Sequence, residues 1–192
     1  YAYTANYSGN NISVVDISNP KAPIQIATAA LGGVANPTSI YVSGRYAYVV
    51  NQSLDSISVV DISNPSAPIP IATTSMGVGA LPWSIYVSGR YAYVTNFGPD
   101  TISVVDISNP STPILIATTS VGTNPIGIYV SGRYAYTTNN ASPYTISVVD
   151  ISNPSAPITV GTASVGQSPN AIYVSGRYAY VVNQDFNTIS VV

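Results

Sequence analysis

Apolar and polar residues alternate along this chain in short runs, and no stretch of helical periodicity is long enough to matter. Ser84-Ile85-Tyr86-Val87 is β-branched and aromatic, Ser88-Gly89-Arg90 supplies turn chemistry, and Tyr91-Ala92-Tyr93-Val94-Thr95 resumes the same texture. Two such runs around a glycine-containing turn predict a β-hairpin. A third strand is predicted over Thr101 to Ile107. A fourth follows over Ile114 to Thr118, after the turn residues Ser108-Asn109-Pro110-Ser111-Thr112-Pro113. The four strands of this unit are called A, B, C and D.

The unit recurs along the whole chain. Tyr-Ala-Tyr opens strand B at Tyr1, Tyr46, Tyr91, Tyr134 and Tyr178, with spacings of 45, 45, 43 and 44. Ile-Ser-Val-Val begins at Ile12, Ile57, Ile102, Ile146 and Ile189, and Asp-Ile-Ser-Asn-Pro at Asp16, Asp61, Asp106 and Asp150. Residues 1–192 therefore read as one array, with repeats 1–45, 46–90, 91–133, 134–177 and a partial 178–192. A fixed period in this range marks units that cannot bury their apolar faces alone.

Strands B and C are apolar on both sides: Val59 and Val60 point opposite ways, as do Tyr48 and Val49. Each sheet is therefore expected to lie between two neighbours. Strand D carries Pro68 and Pro70 in one repeat, and Pro23, Pro113 and Pro157 at its start in the others. Proline lacks the N–H that a ladder needs, which makes D an outer edge. Four antiparallel strands with one proline-marked edge and two buried faces describe the blade of a β-propeller. The expectation is an all-β fold of 18 strands, three full blades and two incomplete end blades. An open arc would wet one apolar flank at each end. At roughly 400 Å² per flank, this forgoes on the order of 20 kcal/mol. Further blades of the same polypeptide, or other copies of it, are expected to cover these flanks.

The Val-Val-Asp-Ile-Ser-Asn-Pro and Ser-Gly-Arg-Tyr-Ala-Tyr-Val phrases resemble the LVIVD repeat, and Tyr93-Val94-Thr95-Asn96 spells the related YVTN propeller repeat. The resemblance covers the whole chain. It implies a bacterial or archaeal cell-surface propeller, often one module of a larger protein. It carries no agreed activity and no catalytic residues.

Charge is scarce, at 6% of residues, and most of it belongs to the repeat. One Arg precedes strand B and one Asp ends strand C, so antiparallel pairing predicts ion pairs Arg45–Asp61, Arg90–Asp106 and Arg133–Asp150. The other reading has each Asp accept hydrogen bonds from the Ser-Asn turn that follows it. A net charge of −2 without a basic face argues against nucleic acid. Cysteine and histidine are both absent, which removes thiol nucleophiles, imidazole bases and the usual zinc or haem ligands. No cofactor or metal is expected. Asp55 and Asp100 share an equivalent loop position that suits calcium, but Asn10 and Asn187 stand at comparable places, which favours turn geometry.

The B–C and D–A loops vary between repeats, while the A–B turn is always Ser-Gly-Arg. Both variable sets belong to one face of the disc. Tyr7, Met76, Trp83, Phe97, Tyr144 and Phe186 are assigned to them as a candidate binding face; the other reading makes these aromatics lids over the ring. The regular tyrosines, such as Tyr41, Tyr46 and Tyr48, are expected to pack between blades rather than form a sugar-binding stripe. Asn6, Asn11, Asn51 and Asn140 head Asn-X-Ser/Thr sequons and are glycosylation candidates.

Weak charge, regular repetition and missing acid–base residues together lead to an expected function: a non-catalytic scaffold, extracellular or on the cell surface. It would act as a surface, matrix or filament component through protein–protein contact or self-assembly. A glycan- or peptide-binding propeller using the variable-loop face is the alternative. A propeller enzyme ranks behind both, because acid–base catalysis needs a suitably titrating group and the chain has neither His nor Glu.

Overall fold

The computed structural model describes every residue, Tyr1–Val192, and divides the chain into five antiparallel sheets. The first sheet holds β1 (Ala2–Asn6), β2 (Asn11–Asp16) and β3 (Ile24–Ala30). The second holds β4 (Pro37–Ser43), β5 (Tyr46–Asn51), β6 (Ser56–Asp61) and β7 (Ile69–Ser75). The third runs through β8 (Pro82–Ser88), β9 (Tyr91–Asn96), β10 (Thr101–Asp106) and β11 (Ile114–Ser120). The fourth runs through β12 (Pro125–Ser131), β13 (Tyr134–Asn139), β14 (Thr145–Asp150) and β15 (Ile158–Ser164). The fifth keeps β16 (Pro169–Ser175), β17 (Tyr178–Asn183) and β18 (Thr188–Val191). Strands A to D thus meander in sequence order, with 18 strands in three full and two three-stranded blades, as the repeat predicts.

Strand D is the edge. Pro70 sits on β7, which pairs only with β6, and a bulge between Val59 and Val60 takes up the irregularity there. Strand A lies innermost: β4, β8, β12 and β16 adjoin one another in turn, and Thr38 Oγ1 on β4 donates to the Trp83 carbonyl on β8 at 2.7 Å. A girdle of tilted tyrosine rings, Tyr41–Tyr86–Tyr129–Tyr173, runs along these inner strands with centroids 4.9 to 5.0 Å apart.

The core lies in the seams between blades. One flank of the second blade (Tyr48, Val50, Ile57, Val59, Met76) packs on the facing flank of the third (Ile85, Val87, Ala92, Val94, Val105, Ile107). The same positions form the seams before and after it. Of the regular tyrosines, Tyr48 and Tyr93 are buried in seams and Tyr41 and Tyr46 pack against one, while Tyr1, Tyr173, Tyr178 and Tyr180 in the end blades are exposed. Burial pushes the Tyr93 hydroxyl up to about 12. The trailing flank of the fifth blade exposes Val182, Ile189 and Val191, whose counterparts are sealed elsewhere. On the leading flank of the first blade, Ile17 is 46% exposed, against 5% for Ile62.

The three expected ion pairs form: Arg45–Asp61 and Arg90–Asp106 at 2.6 Å and Arg133–Asp150 at 2.8 Å. Both readings of the repeat Asp hold together, because Oδ2 takes the Arg while Oδ1 accepts the backbone N–H two residues on, as Asp61 does from Ser63. These contacts hold Asp61 and Asp106 at about 2, through Ser63 and then Arg45 in the first case, and Arg90 and then Ser108 in the second. Each guanidinium also rests over the next tyrosine ring, as Arg45 does over Tyr46 at 5.2 Å.

Because these carboxyls titrate below their unfolded range, their contribution is complete above about pH 4 and disappears as pH falls towards 2. Carboxyl NMR titration should place the Asp106 midpoint near 2, and Arg90→Ala should move it upwards towards the ordinary carboxylate range. A second contrast tests the seams. Ile102→Ala, at a position with no exposure, should cost about 2–5 kcal/mol in chemical denaturation. The equivalent change at Ile189, 66% exposed, should stay within about 0.5 kcal/mol.

Candidate functional site

The inner strands share the pattern Pro-x-small-Ile-Tyr-Val-Ser, and x is the freely varying position: Thr38, Trp83, Ile126 and Asn170. The small residues are Ser39, Ser84, Gly127 and Ala171. These two rows line a cavity of about 270 Å³ around the axis, at the end of the strands where the variable loops enter. Gly127 is required here: a Cβ on it would lie 2.5 Å from the Asn170 carbonyl oxygen, where β12 and β16 approach. The wall offers hydroxyls (Thr38, Ser39, Ser84), one carboxamide (Asn170) and one indole (Trp83). Phe97 backs the indole, with ring centroids 5.8 Å apart. Hydroxyl, amide and flat aromatic surface together suit a small polyhydroxylated ligand.

The structure redistributes the six candidate face residues. Trp83 belongs to inner strand β8 rather than to a variable loop, and it is the member that lines the cavity. Met76 is 6% exposed, packed in the seam between the second and third blades, and does not line the axial cavity. Tyr7 and Phe186 are exposed. Tyr7 donates to Gln52 Oε1, tying neighbouring blades, and does not line the axial cavity. Tyr144 is half-buried, and neither it nor Phe186 lines the axial cavity. Thr38, Ser39, Ser84 and Asn170 escaped the sequence reading. Superposing the four inner-strand sequences, instead of comparing loops, exposes them.

The sequons also sort by burial. Asn51 is fully buried and does not suit glycosylation: its Nδ2 donates to Ser56 and Ser58. Asn96, Asn139 and Asn183 repeat this arrangement, each amide donating to two hydroxyls on strand C. Asn6, Asn11 and Asn140 are half-buried, and Asn6 Nδ2 is engaged by Asn11 and Ser13.

The loop carboxylates hold backbone. Asp55 accepts from Gly79 and Leu81 N–H, both at 2.7 Å, and Asp100 from Asn124 N–H at 2.8 Å. Asn10 does the same for Asn36, and all three turn residues adopt left-handed backbone. Turn geometry, rather than metal ligation, describes Asp55 and Asp100. Asp185 differs, because its partner is a side chain, the Ser168 hydroxyl. Ser168 lies two residues before Asn170, whose amide donates to Gln184 Oε1 at 3.1 Å. Two other hollows, of about 230 and 400 Å³, lie at the fifth blade, one in its seam with the fourth and one on its open flank.

The LVIVD repeat pattern matches residues 1–28, 34–73, 82–120, 126–164 and 168–191. The chain belongs to the LVIVD repeat family. No curated protein sequence matches it. Among solved structures, a candidate 6-phosphogluconolactonase from Bacteroides fragilis superposes with a TM-score of 0.86 at 18% identity, covering 98% of this chain and 62% of its own. The periplasmic gluconolactonase of Pseudomonas aeruginosa gives 0.80 at 17% identity, covering 94% of this chain and 58% of its own. The computationally designed Ika4 protein gives 0.67 at 13% identity, covering 85% of this chain and 94% of its own. This LVIVD chain therefore spans less than two thirds of the length of the two natural structures. The fold is one that proteins named as lactonases share. That finding corrects the expectations of a non-catalytic scaffold and of no enzymatic role, which rested on weak charge, regular repetition and missing acid–base residues.

The buried Asn row should be sensitive to truncation. Asn96→Ala removes both donors to Thr101 and Ser103, and thermal or chemical denaturation should register a loss of about 1–3 kcal/mol.

Proposed function

We propose that this LVIVD chain forms the larger part of a propeller hydrolase acting on a sugar lactone, with the axial cavity as its substrate wall. One observation carries the reading. The positions that vary between otherwise matching inner strands converge on a single cavity with hydroxyl, amide and indole walls. The lactonase names of proteins with superposable arcs support it. The indole stacks on the face of the lactone ring, and Thr38, Ser39, Ser84 and Asn170 hydrogen-bond its hydroxyls. Water attacks the lactone carbonyl, the ring ester C–O bond breaks, and the ring oxygen leaves as a hydroxyl. No carboxylate lines the cavity itself. In this reading Asp185, bonded to the Ser168 hydroxyl two residues before Asn170 and not committed to backbone N–H groups, takes the proton of the attacking water through an intervening water. Its proton then passes to the departing ring oxygen.

Further blades of the same repeat cover the two open flanks in this reading. Support comes from the flank residues, which are those that other seams bury, and from the better superposition on the longer natural chains than on Ika4. The chain's four and a third repeats fill 62% of the Bacteroides chain, which leaves room there for about seven. An extracellular or cell-surface site of action belongs to the same proposal, supported by the lack of cysteine and the single lysine.

Hydrolysis of glucono-δ-lactone, followed by acid release above the spontaneous rate, tests the activity. Trp83→Ala should lower kcat/KM by roughly tenfold or more with melting nearly unchanged. Asp185→Asn should lower kcat with KM held, while Asp100→Asn, which keeps its one acceptor for the Asn124 N–H, leaves turnover intact. An uncatalysed rate with the intact protein would remove the hydrolase reading.

A further inference from the structure

The chain's charges are segregated by face. Arg45, Arg90, Arg133 and Arg177 occupy the A–B turns and Lys21 a C–D loop, so all five cations lie on the face opposite the axial cavity's mouth. Four of the seven acids, Asp16, Asp61, Asp106 and Asp150, sit on that same lower face, and three of the arginines are paired there. The upper face, where the cavity opens, carries Asp55, Asp100 and Asp185 and no cation. An inner strand of seven residues spans about 23 Å. That is more than two screening lengths of about 8 Å at physiological ionic strength. The lower face also nets only one positive side-chain charge, five cations against four carboxylates. It therefore contributes little at the cavity mouth even in dilute buffer, where the screening length grows to about 30 Å. This chain's field there is that of the three upper carboxylates.

Phosphate recognition needs guanidinium or ammonium groups, or a cluster of free backbone N–H donors. In the upper loops the N–H groups of Gly79, Leu81, Asn36 and Asn124 are committed, donating to Asp55, Asn10 and Asp100. The cavity rim itself is neutral: Thr38, Ser39, Trp83, Ser84, Ile126 and Asn170. We infer that the axial site takes an uncharged sugar substrate and discriminates against its phosphorylated counterpart. This rests on the sugar-binding reading above and narrows its substrate class to the neutral lactone.

The single tryptophan lines the cavity, so its fluorescence reports occupancy. The full chain is titrated with D-glucose and with glucose 6-phosphate, in dilute buffer and again at about 0.5 M salt. In dilute buffer the neutral sugar should bind roughly tenfold or more tightly than the phosphate, and high salt should narrow the gap. Asp100→Asn keeps an acceptor for the Asn124 N–H while removing one charge, and it should narrow the gap in dilute buffer. Equal or tighter binding of the phosphate in dilute buffer, or a gap that widens with salt, overturns the inference. Silence towards both sugars overturns it together with the sugar-binding reading. A neutral-sugar preference without lactone hydrolysis leaves the inference standing and removes the hydrolase, so the two failures are distinguishable.

Discussion

A sheet that is apolar on both faces has nowhere to go except between two others, and the rest of this structure follows from that constraint. The seam positions are the same in every repeat: Tyr48, Ile57 and Val59 on one side meet Ala92, Val105 and Ile107 on the other. Burial on both sides of each sheet is what lets a chain with so few charges and no disulfides hold strands together. It also explains where proline falls: Pro70 lies on strand D, and Pro37, Pro82, Pro125 and Pro169 open strand A, the two strands of each sheet that have a ladder partner on one side only.

The two ends of the strands have different tasks. At the lower face, the Asp–Arg pair and the Asp-to-Ser backbone bond recur almost unchanged, because they fix register where strands B and C meet. At the upper face, the loops change in length and residue yet stay anchored. Asn10, Asp55 and Asp100 reach from one blade's B–C turn to the backbone of the next D–A loop. A side chain that clamps backbone tolerates variation in everything else the loop carries. Beneath those loops, buried amides such as Asn51 and Asn96 close the upper ends of the strands on hydroxyls of strand C. Variation is thus directed to the axis, where one position per inner strand is free.

Strand order, the outer edge, the blade count and the three ion pairs were legible because each depends on local chemistry repeated at a fixed spacing. Proline has no N–H to give a second ladder partner and so marks an edge strand, and an Arg before strand B meets the Asp that ends antiparallel strand C. The candidate site was less legible. Met76 and Trp83 look alike as rare large residues near variable loops, yet one fills a seam and the other lines the axis. Their fates differ because a D–A loop enters the seam before it turns into strand A, and a period in the sequence does not show that path.

By itself the sequence determined the blade: its four strands, their register, its edge, and its need for neighbours on both sides, all through side-chain alternation and turn chemistry. Only the tertiary structure decided what the blades enclose. Convergence of Thr38, Trp83, Ile126 and Asn170 on one cavity requires the rotation from blade to blade, which brings residues about 44 positions apart to a common axis. The same rotation separates the cationic face from the cavity mouth by the full height of a strand, so the electrostatics of the site belong to the assembled arc and to no single repeat.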